Sequence, residues 1–155
     1  MIDTGTEFGA RAERRLREER VAWLVTVRPN GRPEPLPVWF LWDGDSFLVY
    51  SQAGKRKLRN IEQNPNVSLH LDGNGRGGDI VVVAGEARVS DDPPADQVPD
   101  YVSKYGWGFE QLGMSAAEFA RGVLGPDPHR LSVAERALSR AERAADRELV
   151  TLSSQ

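Results

Sequence analysis

VAWLVTVRPNGRPEPLPVWFLWDGDSFLVYS, Val21 to Ser51, decides the fold. Its apolar runs are β-branched and aromatic, and they are separated by Asn30-Gly31 and by Asp43-Gly44. Both dipeptides favour the left-handed positions of a tight hairpin turn, so the stretch is expected to form a meander of three antiparallel strands.

Working outward, Lys55 to Asn64 carries Leu58 and Ile61 at i, i+3 without a β-branched run and stops at Pro65, the pattern of a short helix. In NVSLHLDG, Val67, Leu69 and Leu71 alternate with Ser68, His70 and Asp72, a strand with one buried face. GNGRGGD then turns the chain into IVVVAGEARV, Ile80 to Val89, a fifth strand with Gly85 as a bulge or point of close approach. Five antiparallel strands with one interposed helix suggest a barrel.

Upstream, Thr4-x-x-Glu7 has the form of a capping box, and Phe8, Ala12 and Leu16 recur at helical spacing, so a helix is expected from Glu7 to Glu19. Downstream, beyond DDPPADQ, Val98–Gly106 and Ser115–Gly122 read as peripheral helices, the second with Ser115 as N-cap and Glu118 at its third position. Ser132 to Val150, rich in Ala, Arg and Glu, reads as another helix. The expected class is mainly β with peripheral helices in a single domain: core barrel over residues 7–91, peripheral helices and tail over 92–155.

The bulk figures narrow the chemistry. A chain of 155 residues, 39% hydrophobic and 28% charged, can bury one substantial core. Its net charge of −3 gives no global positive field for nucleic acid, so no nucleic-acid partner is expected. Without cysteine, and with only His70 and His129, thiolate catalysis is excluded and an imidazole-rich metal site is not expected. No apolar run approaches the roughly 18 residues of a membrane span, and the Arg/Glu-rich start lacks the apolar core of a signal peptide, so the expected location is cytoplasmic.

Against that mildly acidic background, SQAGKRKLRN places Lys55, Arg56, Lys57 and Arg59 within five residues and no carboxylate among them. A helix N-terminus offers unpaired N–H groups and a positive dipole end; the cations and the Ser51 hydroxyl would complete an anion site, with phosphate the best fit. The alternative is a solvated helix face. Leu36, Pro37, Val38 and Trp39 form an extended, partly proline-fixed strand that can lie against a planar ring, or else Trp39 and Trp42 are core or dimer-interface aromatics. Gly75 to Gly78 could admit a ligand to the backbone or simply form a flexible tip. Tyr50 and His70 read as a structural hydroxyl and an exposed strand histidine, and no catalytic residue is assigned.

WLVTVRPNGRPEPLPVWFLWDGDSFLVYS followed by KRKLRNIEQNPNVSLHLDG resembles the split β-barrel flavin and deazaflavin oxidoreductases related to pyridoxamine 5′-phosphate oxidase. The resemblance implies that Leu36, Pro37, Val38 and Trp39 hold the ring of the cofactor. It likewise implies a phosphate cradle at Ser51, Lys55, Arg56 and Lys57, with Asn60 in the matching helix. YVSKYGWGFEQLGMSAAEFARG, Tyr101 to Gly122, further resembles an actinobacterial subgroup that uses the deazaflavin coenzyme F-420 in place of FMN. The implied function is hydride transfer from reduced F-420 to a small electron-poor acceptor such as an enone or quinone, in a homodimer. The alternatives are an FMN-dependent enzyme of the pyridoxamine-phosphate-oxidase type and a non-catalytic carrier of F-420 or FMN. After Arg121 the chain departs from the family pattern: GPDPHRLSVAERALSRAERAADRELV reads as loop and helix, which raises the expectation that the closing strand is replaced by helix and an edge left open.

Overall fold

The computed structural model describes residues 4–90, 93–123 and 129–135, with side chains throughout except at 122–123, 129–132 and 134–135. Helix α1 (Glu7–Glu18) leads into strand β1 (Val21–Val27) and β2 (Pro33–Trp39). The N-cap of α1 is Thr6, whose hydroxyl accepts from Gly9 N at 3.0 Å, and not the expected Thr4. The β1–β2 turn has Gly31 at φ 81° while Asn30 keeps a negative φ, so the glycine alone takes the left-handed position and the loop is longer than the two-residue turn expected.

The expected meander is corrected at its second strand. The run breaks at Phe40 into β2 and the short β3 (Leu41–Trp42), and only β3 pairs with β4 (Ser46–Ser51). Strand order in the seven-stranded sheet is β2-β1-β5-β6-β7-β4-β3, with β5 at Asn66–His70, β6 at Val82–Ser90 and β7 at His129–Glu135. The two end strands are therefore joined by the single residue Phe40, and the sheet must roll round until its ends meet there. Phe40 is fully buried, and a hydroxyl satisfies its backbone: Tyr105 Oη accepts from Phe40 N and lies within hydrogen-bonding distance of the Phe40 and Arg20 carbonyls, all at 2.8 Å. This side-chain bridge replaces the ladder bonds that a corner gives up.

Strand β7 corrects a second expectation. Where loop and the start of a helix were expected, residues 129–135 insert between β6 and β4, with Val133 opposite both Ala87 and Phe47 and 1% exposed. The sheet thus has its late strand; the expected helix beyond residue 135 lies outside the described residues. The period-two signal of Leu131 and Val133 is short, and the Ala-, Glu- and Arg-rich sequence after it masks it.

Side chains alternate across the sheet. Ala22, Leu24, Val38, Phe47, Val49, Val67, Leu69, Ala87 and Val133 face one core, closed by Ala12 and Leu16 of α1 and by Leu58 and Ile61 of α2 (Arg56–Gln63). A second core covers Leu48 and Tyr50 of β4. It is built from Tyr101, Tyr105 and Phe109 of α3 (Pro99–Gln111) and from Phe119 and Ala120, which follow the short α4 (Ala116–Glu118) in a π-helical turn. These helices supply most of the second core and are not merely peripheral. The Ser115–Glu118 capping box expected from sequence is present.

Candidate functional site

Lys55 is the N-cap of α2 and has no side-chain capping bond; Leu58 N donates to the Lys55 carbonyl at 3.1 Å, while the cap offers no side-chain acceptor to the N–H groups of Arg56 and Lys57 ahead of it. Lys55 is exposed and Lys57 half-buried, and neither ammonium group has an ion pair or hydrogen bond among the described residues. Burial, followed by the neighbouring Lys55 charge, pushes the Lys57 ammonium below the usual lysine range. A cation that is partly desolvated, beside a second cation and without a carboxylate, is electrostatically incomplete. Arg59 is exposed on the next turn.

Arg56, adjacent in sequence, has a different environment. Its Nη1 lies 2.9 Å from Glu34 Oε1, which also accepts from Arg28 Nη2 at 2.6 Å. Glu34 Oε2 accepts from Asn60 Nδ2 at 3.0 Å, and the same amide donates to Thr26 Oγ1 at 2.9 Å. The Arg28 hydrogen bond first, then those from Arg56 and Asn60, hold the Glu34 carboxyl far below its ordinary range, at about 2. Asn60 is only 2% exposed, and its place in α2 is fixed by Thr26 and Glu34. Sequence reasoning missed Glu34, Arg28 and Thr26, because no local spacing connects a β1–β2 hairpin to a helix more than twenty residues away. In the β1–β2 ladder Thr26 lies directly opposite Glu34, a pairing that depends on the turn register.

The other expected residues are distributed as follows. Ser51 ends β4, is 2% exposed, and its hydroxyl donates to the Gln52 carbonyl at 3.2 Å. On β2, Val38 is buried in the first core and Leu36 half-buried on the same face; Pro37 is exposed on the opposite one. Trp39 stacks on Tyr105 with ring centroids 4.5 Å apart and on Phe119 at 5.5 Å, so its indole belongs to the second core. Gly108 makes room for it: a Cβ there would come within 2.8 Å of Trp39 Cη2. The α2 start and the β2 strand meet through Glu34 rather than through the ring-facing residues.

β2 is an end strand of the sheet, and Pro33, Pro35 and Pro37 remove every second N–H from it. Since proline cannot donate to the β1 ladder, its positions are those facing the outer edge, which from Pro33 to Pro37 therefore presents carbonyl acceptors only. Beside that edge, register places Pro37, Trp23, His70 and Val82 in one row across four strands. Val82 is 62% exposed, and the Trp23 and His70 rings stack at 6.3 Å. A separate groove of about 340 Å³ lies between α2 and β6, lined by Leu58, Ile61, Pro65, Ala87 and Val89 with Glu62 and Arg88; it contains none of the expected site residues. Among the described residues there is no group of three or more metal-ligating side chains and no helix long and apolar enough to cross a membrane.

A family model described as pyridoxamine 5′-phosphate oxidase matches residues 8–133. An F-420 reductase of known structure is 23% identical, aligned over 82% of this chain and 94% of its own with a TM-score of 0.55. A FAD-binding protein from Mesorhizobium loti is 17% identical over 82% and 87% of the two chains, TM-score 0.58. A conserved hypothetical protein from Mycobacterium tuberculosis reaches a TM-score of 0.63 at 19% identity, over 84% and 81%. At these identities the structural likeness speaks for the fold, which is split-barrel-like. No curated protein sequence matches significantly.

Proposed function

The chain belongs to the pyridoxamine 5′-phosphate oxidase family, and from that premise we propose that it is an oxidoreductase using F-420 and acting on a small electron-poor acceptor. The observation that carries the proposal is the unpaired, partly desolvated Lys57 beside Lys55 at an uncapped helix start. Charge-assisted bonds from the two ammonium groups and from the α2 N–H groups suit a phosphate of the cofactor. The outer edge of β2 and exposed Pro37 offer acceptors and an apolar surface to a planar ring. Ser51 and Asn60 support the cradle from behind, since both are buried and already hydrogen-bonded.

When bound, the reduced deazaflavin supplies a hydride to the acceptor, and the protein's part is position and electrostatics. No protein group is assigned as proton donor. The row of Pro37, Trp23, His70 and Val82, aromatic and partly apolar, is proposed as the homodimer surface, since an open patch of this kind on a sheet face marks an interaction site. A monomer by light scattering at micromolar concentration would contradict that assignment.

The test is a pair of titrations with F-420 and with FMN at fixed salt, followed by turnover of reduced F-420 with an enone. Micromolar or tighter F-420 binding with weaker FMN binding is expected. Preference for FMN would move the chain to the oxidase-like alternative, binding without turnover to the carrier alternative, and binding of neither would reject the cofactor reading.

A further inference from the structure

Four cations stand together in KRKLR, yet they are not equivalent. The Glu34 side chain is 13% exposed and lies under the start of α2. It gathers Arg28 from the end of β1 and Arg56 and Asn60 from α2, while Asn60 reaches on to Thr26. Three elements are thus tied to one carboxylate. An anion approaching Arg56 would meet that carboxylate within about 3 Å of the guanidinium, where like-charge repulsion is strong. Lys55 and Lys57 have no such competitor among the described residues.

We propose that Glu34 is a positioning residue that withholds Arg56 from the anion site and anchors the α2 N-terminus to the β1–β2 hairpin, leaving anion recognition to Lys55 and Lys57. This rests on the phosphate reading of the α2 start and says which cations serve it. Glu34 acts as a built-in counter-ion: it limits the positive charge of the cradle and so tunes it to a single phosphate group rather than to polyanions in general. Arg56 is the adjustable element, because its side chain is 56% exposed and is held on one oxygen only.

The experiment measures binding of FMN, F-420 and inorganic pyrophosphate to the wild type, Arg56→Ala, Glu34→Gln and the double variant, each at two salt concentrations. Arg56→Ala in the wild-type background is expected to change affinity less than about threefold. Glu34→Gln is expected to tighten pyrophosphate binding about tenfold, the scale of one charge-assisted bond, with a steeper salt dependence. That gain should vanish in the double variant, which a merely structural role for Glu34 would not produce. A loss of tenfold or more in Arg56→Ala alone overturns the inference, because it would place Arg56 on the ligand already. That arm does not depend on the folding of the Glu34 variant, since Arg56 is a surface residue. A gain that persists in the double variant, or no gain at all in Glu34→Gln, overturns it too. If FMN and F-420 fail to bind the wild type, the cofactor reading falls separately and pyrophosphate alone decides, with no binding to any of the four proteins counting against the inference.

Discussion

Two corners of the molecule, the Phe40 junction and the start of α2, contrast in how their polar groups are satisfied. At the Phe40 corner, the Tyr105 hydroxyl meets one backbone N–H and two carbonyls, and Trp39 is stacked from two sides. A cation also fits in there: Lys104 Nζ lies 4.0 Å from the Phe40 ring centroid, although burial brings its pKa down to about 8. At the α2 corner, Glu34 accepts from Arg28, Arg56 and Asn60, and two lysines are left over. At the first corner the Phe40 backbone is satisfied; at the second, two ammonium groups have no counter-charge among the described residues. An incomplete site of that kind is where a ligand can stabilise the protein, because binding supplies the missing partner.

That contrast can be broken most severely at Trp39. Trp39→Ala should cost about 3 kcal/mol of folding stability, near the low end for aromatic truncation because the indole is half-buried. Chemical denaturation reads this directly, and a large loss of cofactor affinity with unchanged stability would return Trp39 to the cofactor. Next is Tyr105→Phe, which leaves the Phe40 N–H without its acceptor. A destabilisation of ~2 kcal/mol is expected, as for an unsatisfied buried donor, and a neutral result would show that the corner finds another partner.

The Glu34 cluster sharpens the comparison through pH. Its folded pKa of about 2 lies below the ordinary value near 4.3 for glutamate. The folded state therefore binds the proton less readily, and the contribution is full above about pH 5 and lost as pH falls through 2. Urea midpoints should fall across that window in the wild type and less steeply in Glu34→Gln; parallel curves would remove Glu34 from the acid transition. The smallest effect is expected at Lys57. Burial disfavours its charged form, a penalty present at neutral pH and relieved as pH rises toward the ordinary lysine value. Lys57→Met should leave stability unchanged or raise it by less than about 1 kcal/mol, and clear destabilisation in thermal melts would mean that the ammonium has a partner.

Much of this was legible in the sequence where the signal is local. Asn30-Gly31 and Asp43-Gly44 sit at the two hairpin turns, and Lys55 to Asn64 corresponds to α2 with its caps. What escaped is non-local. A continuous apolar run from Leu36 to Trp42 carries no mark of the corner at Phe40, since the group that stabilises it, Tyr105, lies 65 residues away. Strand β7 escaped because the short alternation of Leu131 and Val133 competes with a long Ala- and Arg-rich stretch. In the site, the basic cluster was visible but its internal division was not: Arg56 and Lys57 are neighbours in sequence, and only the fold brings Glu34 to one of them.

The central claim, that Lys55 and Lys57 form the phosphate cradle of a flavin-type cofactor, is tested most directly by titrating F-420 and FMN into the wild type and the Lys55→Ala/Lys57→Ala double variant at one salt concentration. Charged hydrogen bonds are worth ~1.5–3 kcal/mol each, so the double variant should lose a few kcal/mol of binding free energy while its melting temperature holds. Equal affinity in the two proteins would contradict the claim.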